Sequence, residues 1–415
     1  MRIRYSTASD GRPVKKAFVY TREEHRIDLA HVDEDAVRIV ERLKASGHET
    51  YIVGGAVRDL MVGKKPKDFD IVTDATPSRI KKVFRNSRII GRRFRLVHVY
   101  FGPKIFEVST FRSLKDGPTS NTYGTVEEDV LRRDFSMNAL FYDPQEQVVV
   151  DYVGGVRDIK RKLVKAIIPL KVIFADDPVR MLRAAKYAAS TGFRIPFLLS
   201  WKIKRQSSLL GPVSPSRLTE ELFKIINSGF SKDIVGKALE LGLFGYLQPQ
   251  AVALMRASSS FKGLYLASLG DLDALVREGK DTASGKYLSF LLRDYVDTLM
   301  DWTAEPLELY RAALASCRTF VLPINPPRIE LENAVRSIFR EHGIAVKKAR
   351  TFEKGRNKES VPEGAGDPRR QERETPTVEG DSEGAKKKRR RRRTRRKPPA
   401  PPAGGNSPQG GESPQ

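Results

Sequence analysis

Hydrophobic residues near the start of the chain change from helical to strand-like spacing. Apolar residues recur on one helix face from Ala36 to Leu43. Asp33 can cap this helix and Gly47 can end it. The apolar run 51–53 then predicts a strand, which two glycines separate from a short helix over residues 56–61.

Further strands follow this helix. The apolar run 69–72 predicts a second strand, and Thr76 with Pro77 supplies a cap and a first helical residue for the next helix. Residues 94–101 and 105–111 predict two more strands. This alternation predicts a compact α/β or α+β unit with a mixed sheet.

The rest of the chain has a different pattern. Apolar residues recur at helical spacing in 177–189 and 216–226, and less regularly through 234–345, so the second half is predicted to be helical. Residues 1–30 are polar and basic, and we expect an extension that lies over the first unit or over a ligand. Beyond about residue 345 the composition predicts disorder, because few apolar residues remain to be buried.

The net charge of the chain indicates a class of binding partner. The 415 residues contain 75 Lys and Arg against 51 Asp and Glu, a formal net charge of +24. The segment 350–415 has 18 basic and 10 acidic residues, which leaves +16 on the rest of the chain. The part predicted to fold is therefore basic by itself and favours a polyanionic partner, either a nucleic acid or an anionic membrane surface.

Cysteine content and hydropathy limit the cellular compartments in which the protein is expected. Cys317 is the only cysteine, so an internal disulfide and a paired-cysteine zinc site are excluded. We expect it to be a small packed hydrophobe in a reducing compartment. No run approaches the ~18 apolar residues of a membrane span, and the first 13 residues lack the apolar stretch of a signal peptide. The sequence therefore predicts a cytoplasmic protein with no membrane partner.

Candidate chemistry lies on the second predicted strand. Alternation along a strand places the carboxylates of Asp68 and Asp70 on one face and Phe69 on the other. Two carboxylates can hold Mg²⁺, or Mn²⁺ as the alternative, for nucleotidyl transfer with two metal ions. Such a pair arises by chance about six times in a chain this acidic, so a solvated acidic turn is the plain alternative.

A pair of glycines supports the prediction of a nucleotidyl-transfer site at Asp68 and Asp70. Gly54 and Gly55 stand at the predicted strand-to-helix turn, about 13 residues before Asp68. Glycine lets the backbone approach a phosphate closely, and backbone N–H groups at such a turn can face it. Gly-Gly pairs also stand at 154–155, 404–405 and 410–411, so the pair alone is a weak signal.

Longer motifs carry a resemblance to a known family. The segments IVGGAVRDL (52–60), KDFDIV (67–72), LRRDFSMNAL (131–140) and ADDPVRMLRA (175–184) resemble the motifs of class II nucleotidyltransferases in order and approximate spacing. That family holds tRNA CCA-adding enzymes and bacterial poly(A) polymerases. Asp176 is a departure, since the family more often has Glu there, although the negative charge is retained.

The resemblance implies an α+β fold: a head like that of DNA polymerase beta, with a mixed sheet, followed by an all-helical neck and body. The expected boundaries are a basic N-terminal extension (1–32), the nucleotidyltransferase head (33–160), a helical neck with the base-recognition motif (161–235), a helical RNA-binding body (236–345) and a disordered basic tail (346–415).

The resemblance also implies roles for individual residues. Asp68 and Asp70 would bind the catalytic metals, and Glu107 could be a third catalytic carboxylate or a surface acid at a strand edge. Asp177 and Arg180, read as i and i+3 on one helical face, would recognise the base. The other residues expected to bind ATP are Gly54, Gly55, Arg58, Arg112, Arg133 and Asp134.

Two basic segments are relevant to which branch of the family the chain resembles, the poly(A) polymerases or the CCA-adding enzymes. Residues 90–99 (IGRRFRLVHV) resemble the signature that separates bacterial poly(A) polymerases from CCA-adding enzymes, and Arg92, Arg93 and Arg95 would contact RNA. The alternative is an exposed basic strand with Phe94 in the core. The run 386–397 contains 11 basic residues among 12 and suits either an RNA-holding tail or a solubilising one.

The resemblance thus implies a template-independent polynucleotide adenylyltransferase that transfers AMP from ATP to RNA 3′ ends, with roles in poly(A) tailing and RNA turnover. A tRNA CCA-adding enzyme is the nearest alternative, and an inactive RNA-binding protein on the same head is a third. We expect a monomer, with the RNA-degradation machinery as a candidate partner.

Overall fold

A computed structural model describes residues 2–7, 13–91, 96–113, 122–279 and 284–346. The chain divides into two units, Met1–Ala349 and Arg350–Gln415, and the second lies outside the described residues. The prediction of a disordered tail over 346–415 therefore falls almost entirely outside them.

Nine strands of the described chain form one mixed sheet in the order β1-β2-β9-β8-β3-β4-β7-β6-β5. Neighbouring strands are antiparallel except β4 and β7, which are parallel. The strands are β1 (Arg2–Thr7), β2 (Pro13–Tyr20), β3 (Thr50–Val53), β4 (Asp70–Thr73), β5 (Ser87–Ile90), β6 (Leu96–Phe101), β7 (Lys104–Thr110), β8 (Leu140–Asp143) and β9 (Val148–Asp151). The mixed sheet predicted from the sequence is confirmed.

Short helices connect these strands. The predicted helix after Asp33 is α2, and the Asp33 carboxylate caps it by accepting a hydrogen bond of 2.9 Å from the Asp35 backbone N–H. Pro77 is the first residue of α4, as predicted. The helices of this part are α1 (Arg22–His25), α2 (Glu34–Ala45), α3 (Gly55–Met61), α4 (Pro77–Val83), α5 (Val126–Leu131) and α6 (Gly155–Lys160).

The N-terminal segment differs from the expected extension. Strands β1 and β2 form a hairpin, and β2 pairs with β9, so this segment continues the sheet of the head. A head boundary at residue 33 would divide this sheet. The pattern is weak because the hairpin lies at the sheet edge, where only Ala17 is buried among the described side chains of the two strands.

Helices dominate after residue 172, as predicted. Described helices are α7 (Ile173–Asp176), α8 (Arg180–Thr191), α9 (Phe197–Gln206), α10 (Pro215–Ile226), α11 (Ser231–Glu240), α12 (Pro249–Ala257), α13 (Ser259–Arg277), α14 (Ser284–Ser289), α15 (Arg293–Leu299), α16 (Pro306–Phe320) and α17 (Arg328–Glu341). Cys317 is fully buried in α16, which confirms its packing role, and burial raises the pKa of its thiol to about 12.

The start of α8 differs from the sequence-based prediction that Asp177 and Arg180 share one helical face. Asp177 lies in an extended conformation between α7 and α8 (φ −150°, ψ 96°), and α8 begins only at Arg180. Pro178 explains the break, because a proline disfavours the helical conformation of the residue before it. Asp177 and Arg180 therefore do not share one helical face.

Two apolar layers hold the sheet in place. The larger core joins one face of the sheet to the helices on it and runs on into the helical half, with Ile52, Ile71 and Phe174 among its members. The smaller core covers the other face and includes Val53, Val72 and Phe141. None of the described helices is long and apolar enough to cross a membrane.

A matched pair of glycine substitutions tests the packing of α6 on the head. A Cβ at Gly155 would lie 2.3 Å from the Ser136 carbonyl oxygen, whereas one at Gly236, inside α11, would meet no described atom within 4 Å. Gly155→Ala should lower the free energy of unfolding by about 1–3 kcal/mol through forced backbone shifts. Gly236→Ala should be neutral or raise it by up to ~1 kcal/mol. Urea unfolding would measure both, and equal values for the two variants would contradict this packing.

Candidate active site

A cleft of about 770 Å³ opens where the sheet of the head meets helices α8 and α10. Five arginines, five lysines and five aspartates line it, so cations outnumber carboxylates two to one. The cleft is therefore suited to a polyanionic ligand. Of the predicted residues, the cleft brings together Gly54, Gly55, Arg58, Asp68, Asp70, Arg133, Asp134, Asp177 and Arg180.

Strand pairing positions the carboxylates. Val53, the last residue of β3, pairs with Asp70, the first residue of β4, so the glycine turn and Asp70 stand at the same end of the sheet. On the other side β4 runs parallel to β7 with Ile71 opposite Val108, which brings Glu107 beside Asp70. The Glu107 carboxylate also lies 3.5 Å from the His98 imidazole.

The surroundings of the Asp70 carboxylate shift its pKa. The carboxylate opens into the cleft, but protein surrounds its other sides, and this burial raises the pKa of Asp70 to about 6. Glu107 raises the pKa further, Arg133 lowers it, and Asp68 adds a smaller increase. Asp70 is thus a carboxylate whose negative charge is not fully compensated by the protein.

The donor set fits a divalent cation. Asp68 and Asp70 offer hard carboxylate oxygens at the wall of the cleft, and Glu107 adds a third negative charge near Asp70. Among the described residues no group of three or more His, Cys, Asp or Glu lies close enough together to hold a metal ion. The site is therefore a carboxylate pair with Glu107 as an electrostatic neighbour, and the role of Glu107 as a metal ligand stays a prediction.

The glycine turn lies directly against this pair. Gly54 has φ 71° and ψ −130°, a conformation that residues with a side chain rarely adopt. A Cβ there would also lie 3.8 Å from both Asp70 Oδ2 and Arg133 Nη1. Glycine at this position keeps open the space between the carboxylate and the guanidinium.

Arg58 is held in place on α3. Its Nε donates to Asp59 Oδ1 at 2.9 Å and its Nη1 to Asn138 Oδ1 at 2.9 Å, and its guanidinium lies 5.3 Å from the centre of the Tyr187 ring. These contacts fix one positive charge at the cleft wall near Gly55.

A buried ion-pair cluster holds Arg132 and Arg133, two further cations of the head. Asp129 is fully buried in α5 and accepts hydrogen bonds from Arg132 Nε and Arg133 Nη2, both at 2.8 Å. Burial alone would raise the pKa of Asp129, but the charges of Arg133 and Arg132 outweigh it and hold the pKa below its usual range. Arg112, predicted to bind the triphosphate, contacts this cluster through its backbone N–H, 3.3 Å from Asp129 Oδ1, rather than lining the cleft.

The helical side of the cleft carries a second polar network. Asp177 Oδ2 lies 2.7 Å from Arg217 Nη2 of α10, and Arg183 Nη1 lies 3.7 Å from Asp134 and 4.0 Å from Asp177. Arg180 is 6% exposed and donates to the Ile173 carbonyl at 3.0 Å. Head and neck therefore meet through charged side chains at the cleft.

Sequence reasoning missed several of these residues. Arg183 could have been found, because it lies one helical turn after Arg180 on α8. Arg217 carried no such signal, because it stands on a separate helix and reaches Asp177 only through the tertiary packing of α10. Other missed residues that line the cleft or hold its cations include Asp129, Arg132, Asn138, Lys186 and Lys224. The predicted RNA contacts Arg92, Arg93 and Arg95 lie outside the described residues.

The described chain combines a mixed sheet, a carboxylate pair against a glycine turn and a helical second half. Residues 50–165 match the family model described as the poly A polymerase head domain. Residues 192–255 match the model described as the probable RNA and SrmB-binding site of polymerase A. Two segments of the chain thus match models of the poly(A) polymerase family.

Individual relatives of known name match part of the chain. Poly(A) polymerase I of Escherichia coli O6:H1 is 42% identical over 247 residues, which are 56% of this chain and 53% of that protein. Poly(A) polymerase I of Haemophilus influenzae is 38% identical over 231 residues, 52% of this chain and 51% of that protein. The CCA-adding enzyme of Geobacillus kaustophilus is 32% identical over 256 residues, 60% of this chain and 63% of that protein. The chain spans about half the length of the poly(A) polymerases it matches.

A solved structure shows the same fold. The crystal structure of the Bacillus stearothermophilus CCA-adding enzyme in complex with CTP matches with a TM-score of 0.51 and 24% identity, over 74% of this chain and 82% of that chain. This likeness confirms the head and helical-body architecture that the sequence motifs implied.

The neighbourhood of Asp70 can be tested by titration. Glu107→Gln removes a negative charge that raises the pKa of Asp70, so that pKa should fall below about 6 in metal-free protein. Carboxyl-carbon NMR would follow the titration. The control Glu41→Gln changes an exposed acid on α2 and should leave the pKa of Asp70 unchanged. An unaltered pKa in the Glu107 variant would show that the two carboxylates do not interact.

Proposed function

We propose that this protein is a template-independent polynucleotide adenylyltransferase that adds AMP from ATP to RNA 3′ ends. The observation that carries the proposal is the convergence of Asp70, Gly54 and Arg133 in a cleft with twice as many cations as carboxylates. Carboxylates, an open glycine turn and fixed guanidiniums are what a nucleoside triphosphate needs at its reacting end. The identity of the poly(A) polymerase relatives supports the choice of reaction.

In the proposed reaction the RNA 3′-hydroxyl oxygen forms a bond to the α-phosphorus of ATP. The bond between this phosphorus and the oxygen bridging to the β-phosphate breaks, pyrophosphate leaves, and the hydroxyl proton passes to water. Arg58 and Arg133 hold the triphosphate, with Arg112 supporting the cluster around Asp129. Gly54 and Gly55 give the phosphates room beside Asp70.

We propose Mg²⁺, with Mn²⁺ as the alternative, as the cation held by Asp68 and Asp70. When bound, it would offset negative charge on the phosphates and on the attacking oxygen. The oxygen-only donor pair supports a hard cation, since nitrogen or sulfur ligands are not part of it.

Base choice is assigned to the neck. Asp177 offers a carboxylate and Arg180 a guanidinium, which together can meet the edge of an adenine. Arg217 restrains Asp177, and the Ile173 carbonyl restrains Arg180, so both groups have fixed orientations. Asp134 completes the polar wall, positioned by the Phe135 backbone N–H and by Arg183.

A CCA-adding enzyme is the second candidate function. The observation in its favour is the 32% identity to the Geobacillus kaustophilus CCA-adding enzyme, which covers somewhat more of both chains than the poly(A) polymerase matches do. Higher identity to two poly(A) polymerases favours adenylate addition as the main proposal.

Partners are proposed from the helical half. Helix α9 exposes Phe197, Leu198 and Trp201 beside Lys202 and Arg205, within the segment that matches the RNA and SrmB-binding family model. We assign this face to a protein of the RNA-degradation machinery, because three large apolar side chains in one patch suit a protein surface. We further propose a cytoplasmic monomer, since ATP and RNA ends are both available in that compartment.

Asp70→Asn tests the proposed chemistry. It removes a carboxylate charge from the reacting end while keeping the size of the side chain, so AMP incorporation into RNA should fall by at least ~10²-fold and RNA affinity should stay within about twofold. The control is Asp74→Asn, just beyond the other end of β4, where the carboxylate pairs with His48. Gel analysis of radiolabelled RNA and filter binding would measure both. Full incorporation by Asp70→Asn would refute the role of Asp70.

A further inference from the structure

A second concavity lies at the hairpin edge of the sheet, apart from the active-site cleft. It has a volume of about 630 Å³ and is formed by β2, the turn after β9 and helix α6. This is within the range of pockets that take a small ligand or a nucleotide-sized group. None of the residues assigned above to nucleotide binding lines it.

One wall of this pocket is basic. Arg157, Lys160 and Arg161 stand at helical spacing i, i+3 and i+4, so they project from one side of α6 and its C-terminal cap, and all three are exposed. In the described part of the chain no carboxylate forms an ion pair with Lys160 or Arg161, whereas Arg157 Nε lies 3.9 Å from Asp158 Oδ1. Lys16, on the β2 side, is already paired with Glu127 at 2.7 Å. The charge available to a ligand therefore comes from α6.

Aromatic side chains also line the pocket. Phe18 and Tyr20 project from the same side of β2 with ring centres 6.3 Å apart, and Tyr152, which follows β9, has its ring 6.0 Å from that of Phe141. Each of the three pocket side chains is partly exposed. Aromatic faces next to guanidinium and ammonium groups form the combination on which single-stranded nucleic acids stack while their phosphates are neutralised.

The turn between these walls is closed to a ligand. Asp151 accepts hydrogen bonds from the backbone N–H groups of Gly154 and Gly155 at 2.8 and 2.9 Å, and from that of Val156 at 3.0 Å. The backbone donors at the start of α6 are thus satisfied by the protein itself. Any anion in the pocket would be held by side chains.

The sheet register relates this pocket to the active site. Phe18 on β2 pairs with Asp151 on β9, which in turn pairs with Leu140 on β8. The next residue of β8 is Phe141. Phe141 pairs with Val53 on β3, and Val53 pairs with Asp70 on β4. The pocket therefore stands at the same end of the sheet as Asp70, four strand spacings or about 19 Å away.

We propose that this pocket, formed by Phe18, Tyr20 and Tyr152 against Arg157, Lys160 and Arg161, binds single-stranded RNA upstream of the 3′ end. This inference rests on the proposed function for the identity of the RNA end. RNA is favoured over an acidic protein segment because the aromatic wall would leave a carboxylate-rich chain without partners, whereas bases can stack on it.

The test compares two charge reversals of equal size. Lys160→Glu/Arg161→Glu changes the pocket, and Lys81→Glu/Lys82→Glu changes two exposed lysines of α4, which packs near β5 and β6 at the opposite sheet edge. Fluorescence anisotropy with a single-stranded oligoadenylate would give the dissociation constant from low to high salt. We expect at least about tenfold weaker binding for the pocket variant, a log–log salt slope shallower by ~1.4, and a smaller loss for the control.

Two results would overturn the proposal: unchanged RNA affinity in the pocket variant, or equal losses in both variants, which would indicate a general charge effect. Photocrosslinking of thiouridine-labelled RNA to the unmodified protein needs no variant and should label the peptide that contains Phe18 and Tyr20. Absence of that crosslink would also count against the pocket. AMP addition by the unmodified protein is measured separately, so failure of the proposed function is distinguishable from failure of the RNA site.

Discussion

The buried Asp129 carboxylate is the constraint on which the phosphate end of the cleft depends. It is fully buried and compensated by Arg132 and Arg133, and the backbone of Arg112 also contacts it. Removing one member of such a cluster leaves a buried charge without a partner, which is costly. Arg133 also donates to the Asn138 carbonyl at 3.1 Å, so the cluster ties α5 to the segment before β8 and sets the guanidinium beside Gly54.

Different interactions hold the two sides of the cleft in place. On the head side, strand register places Asp70 beside Glu107 and next to the glycine turn, so the geometry follows from backbone pairing. On the neck side, Pro178 ends α7 and lets α8 begin at Arg180, and side-chain contacts then restrain the polar groups. A rigid reacting end thus faces a base-recognition wall whose orientation depends on ion pairs.

Local signals predicted the parts of the fold that local interactions determine. The cap at Asp33, the proline start of α4 and the strand before Gly54 all followed from the sequence. The hairpin of β1 and β2 did not, because it is an edge element with little buried apolar surface. Arg217 reaches Asp177 only through the packing of α10, which no spacing rule encodes. The family motifs supplied site residues that composition and periodicity could not.

The most direct test of the account offers ATP and CTP, separately and together, to the purified protein with Mg²⁺. One substrate is an unstructured RNA and the other a tRNA that lacks its CCA end, and product lengths are read on a sequencing gel. We expect long ladders with ATP alone on both RNAs. Addition of three nucleotides, confined to the tRNA and dependent on CTP, would contradict it and identify a CCA-adding enzyme.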